Sequence, residues 1–249
     1  MAKSNEQAFP YDFRLFQKDR TDSKIKLSMD LLGVLPQATQ PTYVLCDSWY
    51  TSKSIIEAAF SGGMHVIGAL KTNRIIYPSG IRMQVKEFAK HIDEKNTDLV
   101  TVGKEQYRVY RYEGALNDLE LDAVVLCWPA NEPMEPKKLR CFLSTDTELT
   151  TQEILDYYSE RWAIETYFQQ VKGYLGFQGV QVRSERAIRR YWLLVQFAYL
   201  FIGALQLKSF STAIQQMRRD QFSGIIEFVY NEARTGTSLG QIKKELLVA

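Results

Sequence analysis

Short apolar runs alternate with amphipathic segments near the start of the chain. Tyr43 to Cys46 and His65 to Leu70 are dominated by apolar residues, which is typical of strands buried on both faces of a sheet. Apolar residues recur at helical spacing from Asp22 to Leu35. A second helix is predicted between Ser52, a candidate N-cap, and the glycine pair at 62–63. This alternation predicts an α/β fold with helices on the faces of a sheet.

The pattern changes to closely spaced strands after Thr72. The predicted strands here, rich in Val, Tyr and Leu, are Leu99 to Val102, Gln106 to Tyr112, Leu119 to Trp128 and Leu139 to Ser144. Turn chemistry is indicated at Glu113-Gly114 and at Asn117-Asp118. We interpret residues 72–138 as a mostly antiparallel, β-rich insertion.

The chain becomes helical after Thr150. Thr150 and Glu153 have the spacing of a capping box, and the helical pattern continues to Gly176. Farther along, the seventeen residues from Tyr191 to Leu207 carry no charge. A membrane span needs about 20 apolar residues, so we expect a buried core helix here and no membrane partner.

One face of the helix that begins at Thr150 mixes aromatic, cationic and anionic groups. At 100° per residue, Tyr158, Arg161, Glu165 and Lys172 fall within an arc of about 60°, beside an apolar stripe. A solvated face with minor ion pairs is one interpretation. The other is a carboxylate that holds a divalent metal, flanked by groups that bind phosphates and a base.

Composition narrows the class of protein. The 249 residues are 45% hydrophobic with a net charge of +2, which excludes a disordered tail and a bulk polycation. Three dispersed cysteines indicate reduced thiols and a cytoplasmic location. Nine basic and three acidic residues lie between Tyr158 and Arg219, a local balance of +6. This segment fits either a DNA-backbone footprint or an ordinary solvated helix end.

The helix face resembles a known family. Tyr158-x2-Arg161-x3-Glu165-x6-Lys172 matches, without a gap, the Y-x2-R-x3-E-x6-K signature of DDE transposases from bacterial insertion sequences. Asp47, in the sequence Asp-Ser-Trp-Tyr after a buried strand, resembles the second aspartate of that family. Glu165 lies 118 residues after Asp47, and this wide gap with a β-rich insertion is typical of the subgroup.

The resemblance implies a ribonuclease H-like catalytic core. In such enzymes two aspartates and a glutamate coordinate two Mg²⁺ ions, which Mn²⁺ can replace. Asp47 and Glu165 would then be catalytic metal ligands. Arg161 and Lys172 would grip phosphates at a transposon end, and Tyr158 would contact a phosphate or a displaced base. The implied activity is metal-dependent phosphodiester cleavage and strand transfer on double-stranded DNA, by a homodimer in a synaptic complex.

Further DNA contacts are predicted with open alternatives. The insertion of such enzymes can carry a Trp that stacks on a flipped base, and Trp128 is the candidate here. The alternative, that Trp128 lies in the core of the insertion, is at least as well supported. Lys71 follows a buried strand, where a surface lysine is favoured over a DNA contact. The arginines expected to contact the DNA backbone are Arg183, Arg186, Arg189 and Arg190.

The family pattern requires a first aspartate that the sequence does not obviously supply. Asp12 lies in a predicted strand from Phe9 to Phe16, which resembles the third strand of the core. Asp19, Asp22 and Asp30 follow it and are not placed as the first ligand either. We therefore expect the C-terminal part of a transposase from a truncated frame, inactive alone. The alternative function is a non-catalytic DNA-binding or dimerising remnant.

The predicted organisation has four parts. A partial, N-terminally incomplete ribonuclease H-like core spans residues 1–71, and the β-rich insertion spans 72–138. The rest of the core, with the helix that carries Glu165, spans 139–207. A C-terminal helical region follows at 208–249.

Overall fold

The computed structural model divides the chain into two compact units. One comprises Tyr11–Ala163; the other comprises Met1–Pro10 together with Ile164–Ala249. The structure describes residues 1–4, 7–17, 22–117, 119–205 and 209–248. Asp19, Asp118 and the predicted boundary at 207/208 lie outside the described residues.

The unit formed by Tyr11–Ala163 contains most of the strands. Its strands are β3 (Tyr43–Cys46), β4 (His65–Leu70), β5 (Ile75–Ile76), β6 (Met83–Gln84), β7 (Asp98–Val102), β8 (Glu105–Leu116), β9 (Leu119–Pro129) and β10 (Arg140–Ser144). Its helices are α1 (Lys24–Leu32), α2 (Lys53–Ser61), α3 (Val85–Phe88) and α4 (Thr151–Ser159). The predicted α/β class is confirmed.

These strands form one mixed sheet. The order is β3-β4-β10-β9-β8-β5-β6, and β7 pairs with β8. β3 and β4 are parallel and are joined through α2, with Tyr43 opposite His65. The other pairs are antiparallel, as the hairpin-sized spacing predicted. The strands of residues 72–138 thus continue the sheet that contains β3, and the domain boundaries stay a prediction.

Alternate side chains of the sheet enter two apolar clusters. One cluster, centred on Leu126 and Trp128, includes residues of α2 and the partly buried end of α1. The other contains Ile67, Val125 and Ile154, the last from α4. The period of two along β9 therefore assigns neighbouring residues to opposite faces.

Two helix starts follow the predicted capping chemistry, whereas the Ser52 side chain, at the N-cap of α2, makes no capping hydrogen bond. The Ser23 hydroxyl accepts a hydrogen bond from the Lys26 amide at 3.1 Å. At α4, Thr150 Oγ1 accepts from the Glu153 amide, and the Glu153 carboxylate accepts from the Thr150 amide at 2.8 Å. This reciprocal pair confirms the capping box.

The second unit is mainly helical. Its helices are α5 (Ala163–Tyr174), α6 (Glu185–Ala204), α7 (Phe210–Arg234) and α8 (Leu239–Val248), and its strands are β1 (Ala2–Ser4) and β2 (Gln7–Phe9). Tyr167 and Val171 of α5 pack with Val195 of α6 in one apolar cluster. Ile202 of α6 packs with Ala213 and Ile214 of α7 in another.

The strand predicted from Phe9 to Phe16 is wrong. β2 ends at Phe9, and residues 10–17 form no regular element. Pro10 has no amide hydrogen for a sheet ladder. Beyond it, the Asp12 carboxylate accepts hydrogen bonds from the Phe13 amide at 2.7 Å and the Arg14 guanidinium at 2.6 Å. These local bonds replace the strand pairing that the apolar pattern suggested.

The turn predicted at Glu113-Gly114 is also wrong. β8 runs through both residues to Leu116, and the pairing register with β9 shifts between Gly114 and Leu116. Gly114 has a φ of 153°, which a residue with a side chain rarely adopts. A glycine inside a strand here marks an irregularity of the ladder rather than its end.

The uncharged helix near Tyr191 is less buried than predicted. α6 forms as a helix, but only Val195 and Ile202 are buried along it. Leu194 and Phe197 are both about two-thirds exposed. The absence of charge therefore predicted the helix, but it did not predict which side chains of α6 are buried. In the part of the chain that the structure describes, no helix has the length and apolar character needed to cross a membrane.

Candidate active site

Asp47 lies in a turn at the carboxyl end of β3. Its backbone carbonyl accepts hydrogen bonds from the Tyr50 amide at 3.0 Å and the Thr51 amide at 3.2 Å. Its side-chain Oδ1 accepts from the Trp49 amide at 2.9 Å. The carboxylate is exposed and makes no ion pair among the described residues. The turn thus fixes one carboxylate oxygen and leaves the other accessible.

A buried contact beneath the turn holds it against β4. The hydroxyl of Thr51, which is buried, lies 2.7 Å from the Ala69 carbonyl and 3.5 Å from Cys46 Sγ. Gly68 faces Cys46 across the strand pair. A Cβ at Gly68 would lie 2.4 Å from Thr51 Oγ1, so only glycine permits this approach.

Tyr158 lies near the end of α4, against the sheet. Its ring centroid is 4.7 Å from that of Phe142, and the Arg161 guanidinium carbon lies 5.6 Å from the Tyr158 centroid. Burial raises the pKa of the Tyr158 hydroxyl, and the charge and hydrogen bond of Arg161 oppose that rise. Arg161 therefore interacts with both the face and the hydroxyl of this ring.

The charges of Asp47 and Arg161 both affect the pKa of the buried Cys46 thiol. Burial raises the pKa of the Cys46 thiol, and the Asp47 charge raises it further. The hydrogen bond with Thr51 and the charge of Arg161 lower this pKa. The Asp47 charge also raises the pKa of the Tyr158 hydroxyl. Residues 160–162 contact β3, so Asp47, Tyr158 and Arg161 lie in one unit around this strand.

Glu165 and Lys172 lie in the second unit. Glu165 is half-buried in the first turn of α5, where the helix dipole favours a carboxylate. Lys172 is exposed in the last turn, with its Nζ 5.5 Å from the Phe168 ring centroid. The apolar side of α5, with Tyr167 and Val171, faces α6.

The prediction of one continuous helix through these four residues is wrong. α4 ends at Ser159, a 3₁₀ turn occupies Glu160–Trp162, and α5 begins at Ala163. A 3₁₀ turn advances about 120° per residue instead of 100°, so faces computed across it shift. In both α-helices and 3₁₀ helices, residues three apart lie on the same side. The spacing of hydrophobic residues therefore does not reveal the 3₁₀ turn.

The predicted basic residues lie at the start of α6. Arg183, Arg186 and Arg190 are exposed, and the Ser184 hydroxyl caps the helix by accepting from the Ala187 amide. Arg189 differs from them because its guanidinium pairs with the Glu185 carboxylate at 2.8 Å, one turn earlier.

Trp128 does not suit the role of an exposed stacking ring. It is 1% exposed, inside the cluster that also contains Leu126 and Leu139. It lies on the same side of β9 as Leu126, which faces the side of the sheet covered by α1 and α2. The alternative that the sequence left open, a Trp in the core, is the one observed.

Trp49 is an exposed ring beside Asp47 to which the sequence pattern assigned no DNA contact. It is 62% exposed, two residues after Asp47, and Lys71 Nζ lies 5.2 Å from the centroid of the ring system. Its exposure could have been predicted from its place in a turn after a buried strand, because a ring in such a turn lies outside the core.

The fit to a divalent metal is partial. Asp47 offers an accessible carboxylate oxygen, the ligand type that Mg²⁺ prefers. However, no group of three His, Cys, Asp or Glu side chains that could hold a metal comes together within the described ranges. We therefore assign no reaction step to a metal.

The arrangement in the unit of Asp47 has the elements needed to bind a phosphodiester. Arg161 supplies planar donors for phosphate oxygens, Tyr158 supplies a ring and a hydroxyl, and Asp47 supplies an anionic oxygen.

Comparison with known proteins identifies the family. A search of curated proteins found no match. The family model of the transposase DDE domain matches residues 2–201, which is most of the chain. DDE domains have a ribonuclease H-like fold and belong to enzymes of DNA phosphoryl transfer. The chain therefore belongs to the transposase DDE domain family.

Proposed function

We propose that this protein is a DNA transposase that cleaves phosphodiester bonds and transfers strands at transposon ends with a divalent metal. The observation that carries the proposal is the accessible Asp47 carboxylate in the turn after β3, a strand that also contacts residues 160–162, where Arg161 lies over the Tyr158 ring. A carboxylate next to a guanidinium and a tyrosine suits a scissile phosphate, because the cation and hydroxyl bind its oxygens while the carboxylate stays accessible.

Each residue of the Tyr-Arg-Glu-Lys set has a proposed role. Arg161 holds a non-bridging phosphate oxygen, and Tyr158 orients the guanidinium and contacts the strand. Asp47 and Glu165 are proposed metal ligands, Mg²⁺ or Mn²⁺, and Lys172 contacts a neighbouring phosphate. When bound, the metal supplies Lewis acidity at the reacting phosphate.

The proposed partners follow from this chemistry. Double-stranded DNA serves as both transposon end and target, and two copies of the protein bind in a synaptic complex. Genomic DNA as substrate places the proposed activity in the bacterial cytoplasm, at the nucleoid. The helix start with Arg183, Arg186 and Arg190 is proposed to lie along the DNA backbone.

A second function has a specific observation in its favour. No cluster of three metal-binding side chains occurs in the residues that the structure describes. A protein of this family that lacked a working metal site would bind DNA, or a second copy of itself, without cleaving. Non-catalytic DNA binding is therefore the alternative.

The two functions are distinguished by incubating the purified protein with supercoiled plasmid in Mn²⁺ and following nicked and linear products on a gel. We expect nicking that EDTA suppresses. This result would overturn the expectation, drawn from the missing first aspartate, that the chain is inactive alone. Salt-dependent binding of the same plasmid with no nicking would support the non-catalytic alternative. An absence of both binding and nicking would contradict both functions.

The ion pair of Arg189 provides a matched test of the DNA-binding helix start. We expect Arg186→Gln and Arg190→Gln each to make the negative slope of log K against log salt shallower by about 0.9, the value of one phosphate contact on duplex DNA. Arg189→Gln should change the slope less, because Glu185 already neutralises this guanidinium. Fluorescence anisotropy with a 30-base-pair duplex measures the slopes. Equal slopes for all three variants and the wild type would refute this footprint.

A further inference from the structure

An open basic cleft lies beyond the end of β4, and Lys71 is its only lining residue considered so far for a DNA contact. Its volume is about 610 Å³. It is lined by three cations and four other residues: Lys71, Arg74, Arg82, Asn73, Ile75, Tyr77 and Asn117. No carboxylate is found among the described residues that line it. Its lining therefore has a local charge of +3.

The backbone around the cleft is held by local hydrogen bonds. β5 and β6 pair as a short antiparallel ladder, with Ile76 opposite Met83. The Asn117 side chain accepts from the Ile75 amide at 2.9 Å, and the Asn117 amide donates to the Ile75 carbonyl at 2.8 Å. The Val85 amide donates to the Arg74 carbonyl. The segments that carry the cations are thus fixed before any ligand binds.

The cleft is connected to the turn that carries Asp47. Arg74 NH2 donates to the Thr51 carbonyl at 2.8 Å, and the Thr51 amide and hydroxyl both lie within hydrogen-bond distance of the Asp47 carbonyl. On the other side, Lys71 lies over the Trp49 ring, and the Trp49 amide binds Asp47 Oδ1. All of these residues belong to the unit of Tyr11–Ala163.

The chemistry of the lining indicates a polyanion. Lys71 and Arg82 are exposed and make no ion pair among the described residues, so their charges are available to a ligand. Asn73 and Asn117 add neutral donors, which commonly contact phosphate and sugar oxygens. Because the cleft is open, it suits the backbone of a passing strand better than an enclosed small molecule.

We infer that this cleft binds the sugar-phosphate backbone of DNA next to the strand segment held at Asp47. The inference rests on the proposed function, because it assumes that DNA lies at Asp47. Lys71 and Arg82 contact phosphates directly. Arg74 contributes charge while its guanidinium also ties the cleft to the Thr51 carbonyl. Trp49 contacts both Lys71 of the cleft and Asp47.

The test is the salt dependence of DNA binding by a double variant, Lys71→Gln with Arg82→Gln, without metal. The probe is a 30-base-pair duplex followed by fluorescence anisotropy between 50 and 200 mM KCl. We expect the dissociation constant to rise about tenfold and the negative slope of log K against log salt to become shallower by about 1.8, the value of two phosphate contacts. The matched control, Lys104→Gln with Arg140→Gln, removes the same charge from exposed cations elsewhere in this unit that make no ion pair among the described residues.

Three outcomes would overturn the inference. If the wild-type protein binds no duplex, the proposed function and the cleft fail together. If the wild type binds but the cleft variant matches the control variant, only the cleft fails. If inorganic phosphate binds saturably and the cleft variant loses that binding while duplex affinity is unchanged, the cleft is a small-anion site instead. Thermal melts of both variants confirm that each is folded.

Discussion

Replacing Trp128 by Ala is expected to lower the free energy of unfolding by about 3–5 kcal/mol, the range for removing a large buried aromatic side chain. Trp128 is enclosed by the apolar cluster on the side of the sheet covered by α1 and α2, so removing the ring leaves a cavity there. Total stabilities of domains are about 5–15 kcal/mol, so the loss is a large fraction. Urea denaturation followed by circular dichroism measures it.

Trp49→Ala is the matched control, because the same side chain is removed from an exposed position. We expect it to change the free energy of unfolding by about 0.5 kcal/mol or less. A conservative Trp128→Phe variant keeps the protein folded and should bind DNA as the wild type does. If Trp128→Phe retained stability but lost DNA binding, the ring would be a base contact and not a core residue.

Replacing Asp122 by Asn is expected to stabilise the protein at pH 8 by up to about 3 kcal/mol. Asp122 on β9 is 2% exposed, and its Oδ2 has no hydrogen-bond partner among the described residues. Burial raises the pKa of this carboxyl to about 6. Because the pKa of Asp122 is higher in the folded than in the unfolded protein, the protonated carboxyl favours folding. The stability that this carboxyl contributes at pH 4 is lost as the pH rises through about 6. Asn stays neutral and avoids that loss.

The measurement is the difference in free energy of unfolding between Asp122→Asn and the wild type at pH 4, 6 and 8. The difference should grow from pH 4 to pH 8, since only the wild type ionises. Asp98→Asn, at an exposed position on β7, should show no such growth. A difference that is independent of pH would mean that the Asp122 carboxyl titrates normally.

Local chemistry made much of the fold predictable. The apolar runs at β3 and β4 and the capping box at Thr150 depend on neighbouring residues alone, and all three appear as predicted. Asp47 after β3 was predictable for the same reason, because a polar residue that ends a buried strand must leave the core. The three-residue 3₁₀ turn after α4 was not, since it preserves the spacing that hydrophobic patterns report.

The parts of the site that depend on tertiary contacts could not be predicted. Trp128 and Trp49 are both aromatic residues near strand ends, and only the packing of the sheet decides that the first is enclosed and the second exposed. Lys71 looked like an ordinary surface lysine in the sequence. Its meeting with Arg74 and Arg82 depends on the β5–β6 ladder, whose two-residue strands carry almost no periodic signal.

The central claim is that Asp47 takes part in DNA cleavage. It is tested most directly by comparing plasmid nicking in Mn²⁺ by the wild type, Asp47→Asn and the exposed control Asp98→Asn. The account predicts that Asp47→Asn slows nicking by about 100-fold or more, about 2.7 kcal/mol of barrier, with unchanged DNA affinity, and that Asp98→Asn nicks normally. Nicking by Asp47→Asn at the wild-type rate would contradict it.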